Sequence, residues 1–401
     1  MAAAMVSLPV SQPEATDRQD DPDDPVVAVL VPLSGELESM GRQLLEAAEY
    51  AVADSGVRVE GVDEGESGAQ TAEAVQTLAG REEVAAVIGP TMRRHAATAA
   101  DHAGRAGLPM LSYSSKPGVE QDSGWVMRAR VCTGQQSEAL ARYLAEELKA
   151  QRIGLLAPQS GYGDDITAAV IDAFGELDGR VTALSRYQEE TTDFRHPLEV
   201  LVGSRAYVGA DRRLDQMRSD RWHTVPLARE GQVEFDALVI ADAHHRVARL
   251  LPFLGGVGIA TAADDQGERV TLLGLSGWKG DGLERAGDYA RGAIFFDTFG
   301  GEVDGQTARQ FVVDFREQTG REATTPEAEL FDLVSMVAEA TEAAAGDESL
   351  RDGVVRQLRS ESYSGVSGQW AFDEAGAPVR TLHPYQVVDA GRWVRVAPRS
   401  H

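Results

Sequence analysis

The chain has 401 residues, long enough for two or three domains with cores of their own, and its 43% hydrophobic and 25% charged residues are ordinary for a globular protein. Acids outnumber bases to give a formal net charge of -26, which argues against a surface that grips nucleic acid or anionic lipid. Cys132 is the single cysteine, so neither an intramolecular disulfide nor a cysteine metal cluster can form, and no apolar run reaches transmembrane length.

The N-terminus MAAAMVSLPV lacks the basic region and apolar core of a signal peptide. The protein either stays inside the cell or is a mature form whose leader is missing. Residues 1–25 read as a disordered acidic tail, because SQPEATDRQDDPDDP holds acids and prolines and no large apolar residue. Such a tail is either a tether or a frayed terminus. The folded part begins with Val26 to Val31, a central-strand pattern followed by a helix from about Met40 to Asp54. A strand from Val57 to Val62 ends in Asp63-Glu64, and a helix spans Gln70 to Ala79.

The stretch from Val84 to Lys116 organises the rest. Val84 to Ile88 reads as a buried parallel strand, Thr91 as the cap of a helix from Met92 to about Arg105, and Leu108 to Leu111 as the next strand, followed by Ser112-Tyr113-Ser114-Ser115. Polar groups then wait at the carboxyl ends of neighbouring strands, where open parallel sheets bind ligands, partly on free N–H groups of helix N-termini. From Gly134 the alternation restarts, with strands at Arg152–Leu156, Val181–Tyr187, Phe235–Ile240, Val270–Leu275 and Gly292–Phe296. The polar span of about 203–231 reads as a surface insertion. Helices at Gln306–Thr319, Pro326–Ala345 and Ser349–Leu358 precede a β-patterned tail with a hairpin signal at Asp389 to Gly391.

The pattern predicts two α/β lobes, each a parallel sheet flanked by helices, facing each other across a ligand cleft. Lobe 1 is expected over 26–131 plus 299–345, and lobe 2 over 132–298 plus 346–401. The phosphate-loop, dinucleotide and zincin motifs are absent, and His244-His245 are neighbours that point to different faces of a helix. With no nucleophile and base in view, the reading is a non-enzyme without catalytic residues, metal or cofactor.

Within this frame VAVLVPLSGELESMGRQLLEAAEYAVAD, VAAVIGPTMRR, LPMLSYSS, QRIGLLAPQSGYGDDI and GQWAFDEAGAPVRTLHPYQVVDAGRW carry a resemblance. In this order and spacing they resemble the type I periplasmic-binding-fold proteins of the branched-chain amino-acid receptor group, the receptors of ABC importers. The segments EFDALVIADAHHRVARLLPFL and VTLLGLSGWKGDGLERAGDYARGAIFFDTF are also similar to penicillin-binding-protein activators, outer-membrane lipoproteins that stimulate cell-wall synthases. The resemblance implies an extracytoplasmic monomer, lipid-anchored if a leader precedes it, that closes on a small polar, amino-acid-like or carboxylate ligand. Its partner is then an importer permease or a cell-wall synthase. The implied ligand residues are Met92 and Arg93 after the third strand, Ser114 and Ser115 after the fourth, and Tyr162, Asp242, Ser276 and Trp278 in lobe 2. Where amino-acid receptors commonly place an acid for the ligand ammonium, this chain reads Ser-Gly-Trp.

Overall fold

A computed structural model describes residues 24–53, 55–120, 124–203, 235–262 and 269–397. In lobe 1, β1 (Val26–Val31), β2 (Arg58–Asp63), β3 (Val84–Ile88), β4 (Met110–Ser112) and β5 (Val126–Arg128) pair in parallel in the order β2-β1-β3-β4-β5. The helices α1 (Glu38–Ala51), α2 (Gly68–Ala79) and α3 (Arg93–Ala106) connect the first four strands.

β1 and β3 are buried at every residue, because the two faces of the sheet feed two separate cores. Successive strand side chains point to opposite faces. Val27, Val29 and Val31 accordingly pack with Leu330, Leu333 and Val337 of the helix Thr325–Ala343. Val26, Ala28 and Leu30 pack instead with Val75 and Leu78 of α2 and with Ala96, Ala99 and Ala103 of α3. A continuous run of β-branched residues is what a strand covered on both faces requires.

Lobe 2 holds β6 (Arg152–Pro158), β7 (Arg180–Tyr187), β8 (Ala237–Ile240), β9 (Thr271–Gly274) and β10 (Ile294–Asp297), with α4 (Thr133–Arg142), α5 (Gly161–Gly175) and α6 (Arg195–Leu201) among its helices. A small separate hairpin of β11 (Tyr363–Gly365) and β12 (Gly368–Trp370) precedes β13 (His383–Asp389) and β14 (Arg392–Arg395). The lobe 2 order is β14-β13-β10-β9-β8-β6-β7, parallel except that β13 and β14 run antiparallel at one edge.

The chain passes between the lobes after β5, after β10 and again before β13. This corrects the expected division of the C-terminal part. Residues 346–380 return to lobe 1, because Val354, Leu358, Trp370 and Phe372 join the core of β1 and β3. Arg351 also donates to the backbone carbonyls of Val84, Ala79 and Arg81. The β13–β14 hairpin belongs to lobe 2, seated on Phe295 through Tyr385 and Trp393. The expected insertion of 203–231 lies outside the described residues beyond Gly203, as does the acidic tail before Asp24.

Candidate ligand cleft

The lobe 1 wall of the cleft starts where β2 ends. Asp63 accepts the N–H groups of Leu33 and Gly65, at 3.0 and 3.1 Å, which ties the ends of β1 and β2 together. Glu64 then turns inward and is fully buried. Its Oε2 accepts the N–H of Thr91 at 2.7 Å, the Thr91 hydroxyl at 3.2 Å and the N–H of Met92 at 3.4 Å. Burial pushes this carboxyl above its ordinary value, and the Thr91 and Met92 donors pull it back.

Thr91 is therefore not the cap of α3. The helix begins at Arg93, with Met92 in the N-cap position and no side-chain cap. The N–H groups expected to hold a ligand carboxylate are occupied by an acid of the chain itself. Oε1 of Glu64 faces Nδ1 of His95 at 3.7 Å, and Nε2 of His95 accepts from Arg94 Nε at 3.0 Å.

Met92 is half-buried, and Arg93 projects from the helix to pair with Asp165 of α5 at 3.1 Å, a contact across the two lobes. Ser114 is buried, its Oγ accepting the N–H of Lys116 at 3.2 Å, and Ser115 beside it is half-buried.

On lobe 2, Tyr162 sits in the first turn of α5, whose N-cap Ser160 accepts the N–H of Gly163 at 3.3 Å. A Cβ at Gly163 would lie 1.9 Å from the Pro158 carbonyl oxygen, so only glycine lets α5 start so close to the end of β6. Desolvation and the Asp242 carboxylate push the Tyr162 phenol up to about 12. Asp242 itself is buried and fully engaged. It accepts the Tyr187 hydroxyl, the N–H of Ala243 at 2.7 Å, and Arg246 Nε at 2.8 Å on each oxygen. Its role is to hold the ends of β7 and β8 together.

Trp278 also departs from expectation. It is wholly buried in the lobe 2 core, and its indole N–H donates to the Ile240 carbonyl at 2.9 Å. A Cβ at Gly274 would fall 2.1 Å from the indole ring, so the short helical turn Ser276–Trp278 folds the ring back beneath β9. His244 is likewise engaged, Nδ1 accepting the N–H of Gly282 at 3.0 Å.

Ser276 does reach the cleft, donating from Oγ to Gln136 Oε1 at 3.0 Å. It lines a cavity of about 800 Å³ together with Arg130, Lys279, Asp297, Thr325 and Trp393. Met92, Ser114, Ser115, Tyr162 and Asp242 do not line this cavity. Lys279 follows the misassigned Trp278. Its Nζ donates to the Phe299 carbonyl at 2.6 Å and to Thr325 Oγ1 at 3.0 Å, and it lies 4.5 Å from the Phe299 ring centre. Burial holds its ammonium below the ordinary range.

Asp297, at the end of β10, accepts Thr325 Oγ1 at 2.9 Å and the N–H of Thr298 at 2.7 Å, and burial pushes its carboxyl up to about 6. Glu329 gathers the crossing segments. It accepts Tyr113 Oη at 2.8 Å and Thr298 Oγ1 at 2.7 Å, and it lies 3.7 Å from Arg130 and 3.4 Å from Arg380. Arg130, Thr298 and Arg380 each come from a different crossing between the lobes. Of the charged residues lining the cavity, Asp297 had a faint sequence signal, an acid directly after the predicted strand Gly292–Phe296, whereas Arg130 and Lys279 had none.

The chain belongs to the periplasmic binding protein family, whose profile matches residues 26–212 and 230–392. No curated protein sequence matches the chain. Among solved structures it is similar to an ABC transporter substrate-binding protein from Sphaerobacter thermophilus, with 21% identity, 93% of this chain and 96% of the other covered, and a TM-score of 0.72. It is also similar to the branched-chain amino acid transporter substrate-binding protein LivJ from Streptococcus pneumoniae, solved with isoleucine (20% identity, 93% and 99% covered, TM-score 0.66). A solute-binding protein of an R. palustris ABC transporter, solved with 4-hydroxybenzoate, gives 16% identity, 93% and 95% covered, and a TM-score of 0.67. At these identities the likeness establishes the two-lobed fold.

Proposed function

We propose that this periplasmic binding protein is a solute receptor of an ABC-type importer. It closes its lobes on a small polar ligand outside the cytoplasmic membrane and releases that ligand unchanged to a membrane permease. The observation that carries the reading is the cavity of about 800 Å³, walled by Ser276 and Lys279 of lobe 2, Thr325 of lobe 1 and Arg130 of the first crossing. Its size lies within the range of roughly 300–1,000 Å³ usual for small-molecule sites. Crossing segments gathered on a single carboxylate, Glu329, supply the hinge that closure needs. Relatives of the same fold carry isoleucine and 4-hydroxybenzoate, which supports an amino-acid-like or carboxylate ligand.

The test is a melting-temperature screen of the purified protein against amino acids, aromatic acids, sugars and amines, with mass spectrometry of any small molecule it releases. The receptor reading expects a saturable rise with one chemical class. A lipid-anchored regulator of a cell-wall synthase would instead show no shift with any solute and would co-purify with the synthase.

A further inference from the structure

We propose that Arg130 is the anion-docking residue of the cleft, taking the carboxylate of a small organic acid fork-on at the hinge end of the cavity, with Lys279 as the second cation. The proposal rests on the solute-receptor reading and names its ligand class. A guanidinium carries five N–H donors in a planar fork. Among the described residues none of the five has a hydrogen-bond acceptor; the nearest acid, Glu329, is 3.7 Å away. Glu329 accepts the hydroxyls of Tyr113 and Thr298 and meets Arg130 as an ion pair at 3.7 Å, beyond hydrogen-bond length.

The Arg130 guanidinium lies 5.1 Å from the Tyr113 ring centre, which orients its plane, and its side chain keeps 37% exposure beside the cavity. An oriented, partly desolvated guanidinium with unfilled donors matches the two oxygens of a carboxylate. Lys279 uses two of its three donors on Phe299 and Thr325, leaving one.

The rest of the cleft points the same way. The alternative anion site, at the start of α3, is filled by Glu64. Of the acids that share the cavity, Asp297 is bonded to Thr298 and Thr325, Glu302 and Glu322 pair with Arg316, Asp281 lies 3.9 Å from Arg285, and Glu284 is exposed at the lobe 2 rim. The ligand is thus held by its acid at the hinge, not by the lobe 1 turn.

The experiment compares the free acids of isoleucine, benzoate, 4-hydroxybenzoate and succinate with their primary amides, first by melting temperature and then by calorimetry. At least one acid should bind wild-type protein while its amide does not. Arg130→Gln should weaken that acid roughly 10- to 150-fold, the loss of one or two charge-assisted hydrogen bonds. Arg130→Lys, which keeps the charge and the fold but loses the fork, should fall between, and Lys279→Met should weaken binding less than Arg130→Gln. An amide that binds as well as its acid, or an acid that binds both Arg130 variants as tightly as wild type, overturns the assignment. Binding confined to amides or amines removes Arg130 alone from the account. No shift with any acid or amide, and no small molecule released from the purified protein, removes the receptor reading together with it.

Discussion

Removing Glu64 offers a test of how lobe 1 is built, because one carboxylate completes a helix start 27 residues away in sequence. Glu64→Ala leaves the N–H groups of Thr91 and Met92 and the Thr91 hydroxyl without their acceptor. A buried donor left unsatisfied costs about 1–3 kcal/mol, so the two N–H groups together give about 2–6 kcal/mol. At roughly 2–4 °C per kcal/mol, thermal unfolding followed by circular dichroism should drop by roughly 4–24 °C. The vacated pocket should also accept a small anion. Formate at ten times its dissociation constant would return about 1.4 kcal/mol to the variant, and leave wild-type protein unchanged relative to equal chloride. A variant that melts with wild type, or formate that lifts both proteins equally, refutes the filled-site interpretation.

Asp297 sets a pH dependence: its folded value of about 6 stands above its ordinary 3.8, so its contribution is full below 3.8 and is lost as pH rises through 6. The gap is worth about 3 kcal/mol, and Asp297→Asn should show a flatter stability-versus-pH curve than wild type between those limits in urea titrations; parallel curves contradict the assignment. Asp332, fully buried, accepts the N–H groups of Val366 and Ser367 and the Trp370 indole at 2.7, 2.8 and 3.0 Å. Asp332→Ala should therefore destabilise lobe 1 by more than about 3 kcal/mol, and a loss below 1 kcal/mol would count against this anchor of the β11–β12 hairpin. Arg93 and Asp165 are both about half exposed, so Arg93→Ala should change stability by no more than about 1 kcal/mol and ligand affinity by no more than about fivefold. A larger effect in a double-mutant cycle would make this pair a true latch.

Much of the fold was legible because the strands of a doubly covered sheet must be apolar throughout. Val26–Val31 and Val84–Ile88 announce themselves, and helix periodicity fills the intervals. The site was harder to read, since it depends on where side chains turn after the strands stop. Trp278 follows a strand as a ligand residue would, yet the tight turn at Ser276 rotates it into the core and presents Lys279 instead. Glu64 reads as a surface acid at a strand end, and only the parallel pairing of β2, β1 and β3 brings it under α3. The return of residues 346–380 to lobe 1 was hidden for a similar reason. Amphipathic faces state that Val354 and Leu358 must be covered, and not by which lobe.

The central claim, closure of two lobes on an acid held at the hinge, is tested most directly by small-angle X-ray scattering. Wild-type protein would be titrated with whichever free acid raises its melting temperature most. The account predicts that the radius of gyration falls to a plateau at the binding stoichiometry, and that Arg130→Gln needs correspondingly more acid to reach the same plateau. An unchanged radius with acid demonstrably bound at saturation would contradict it.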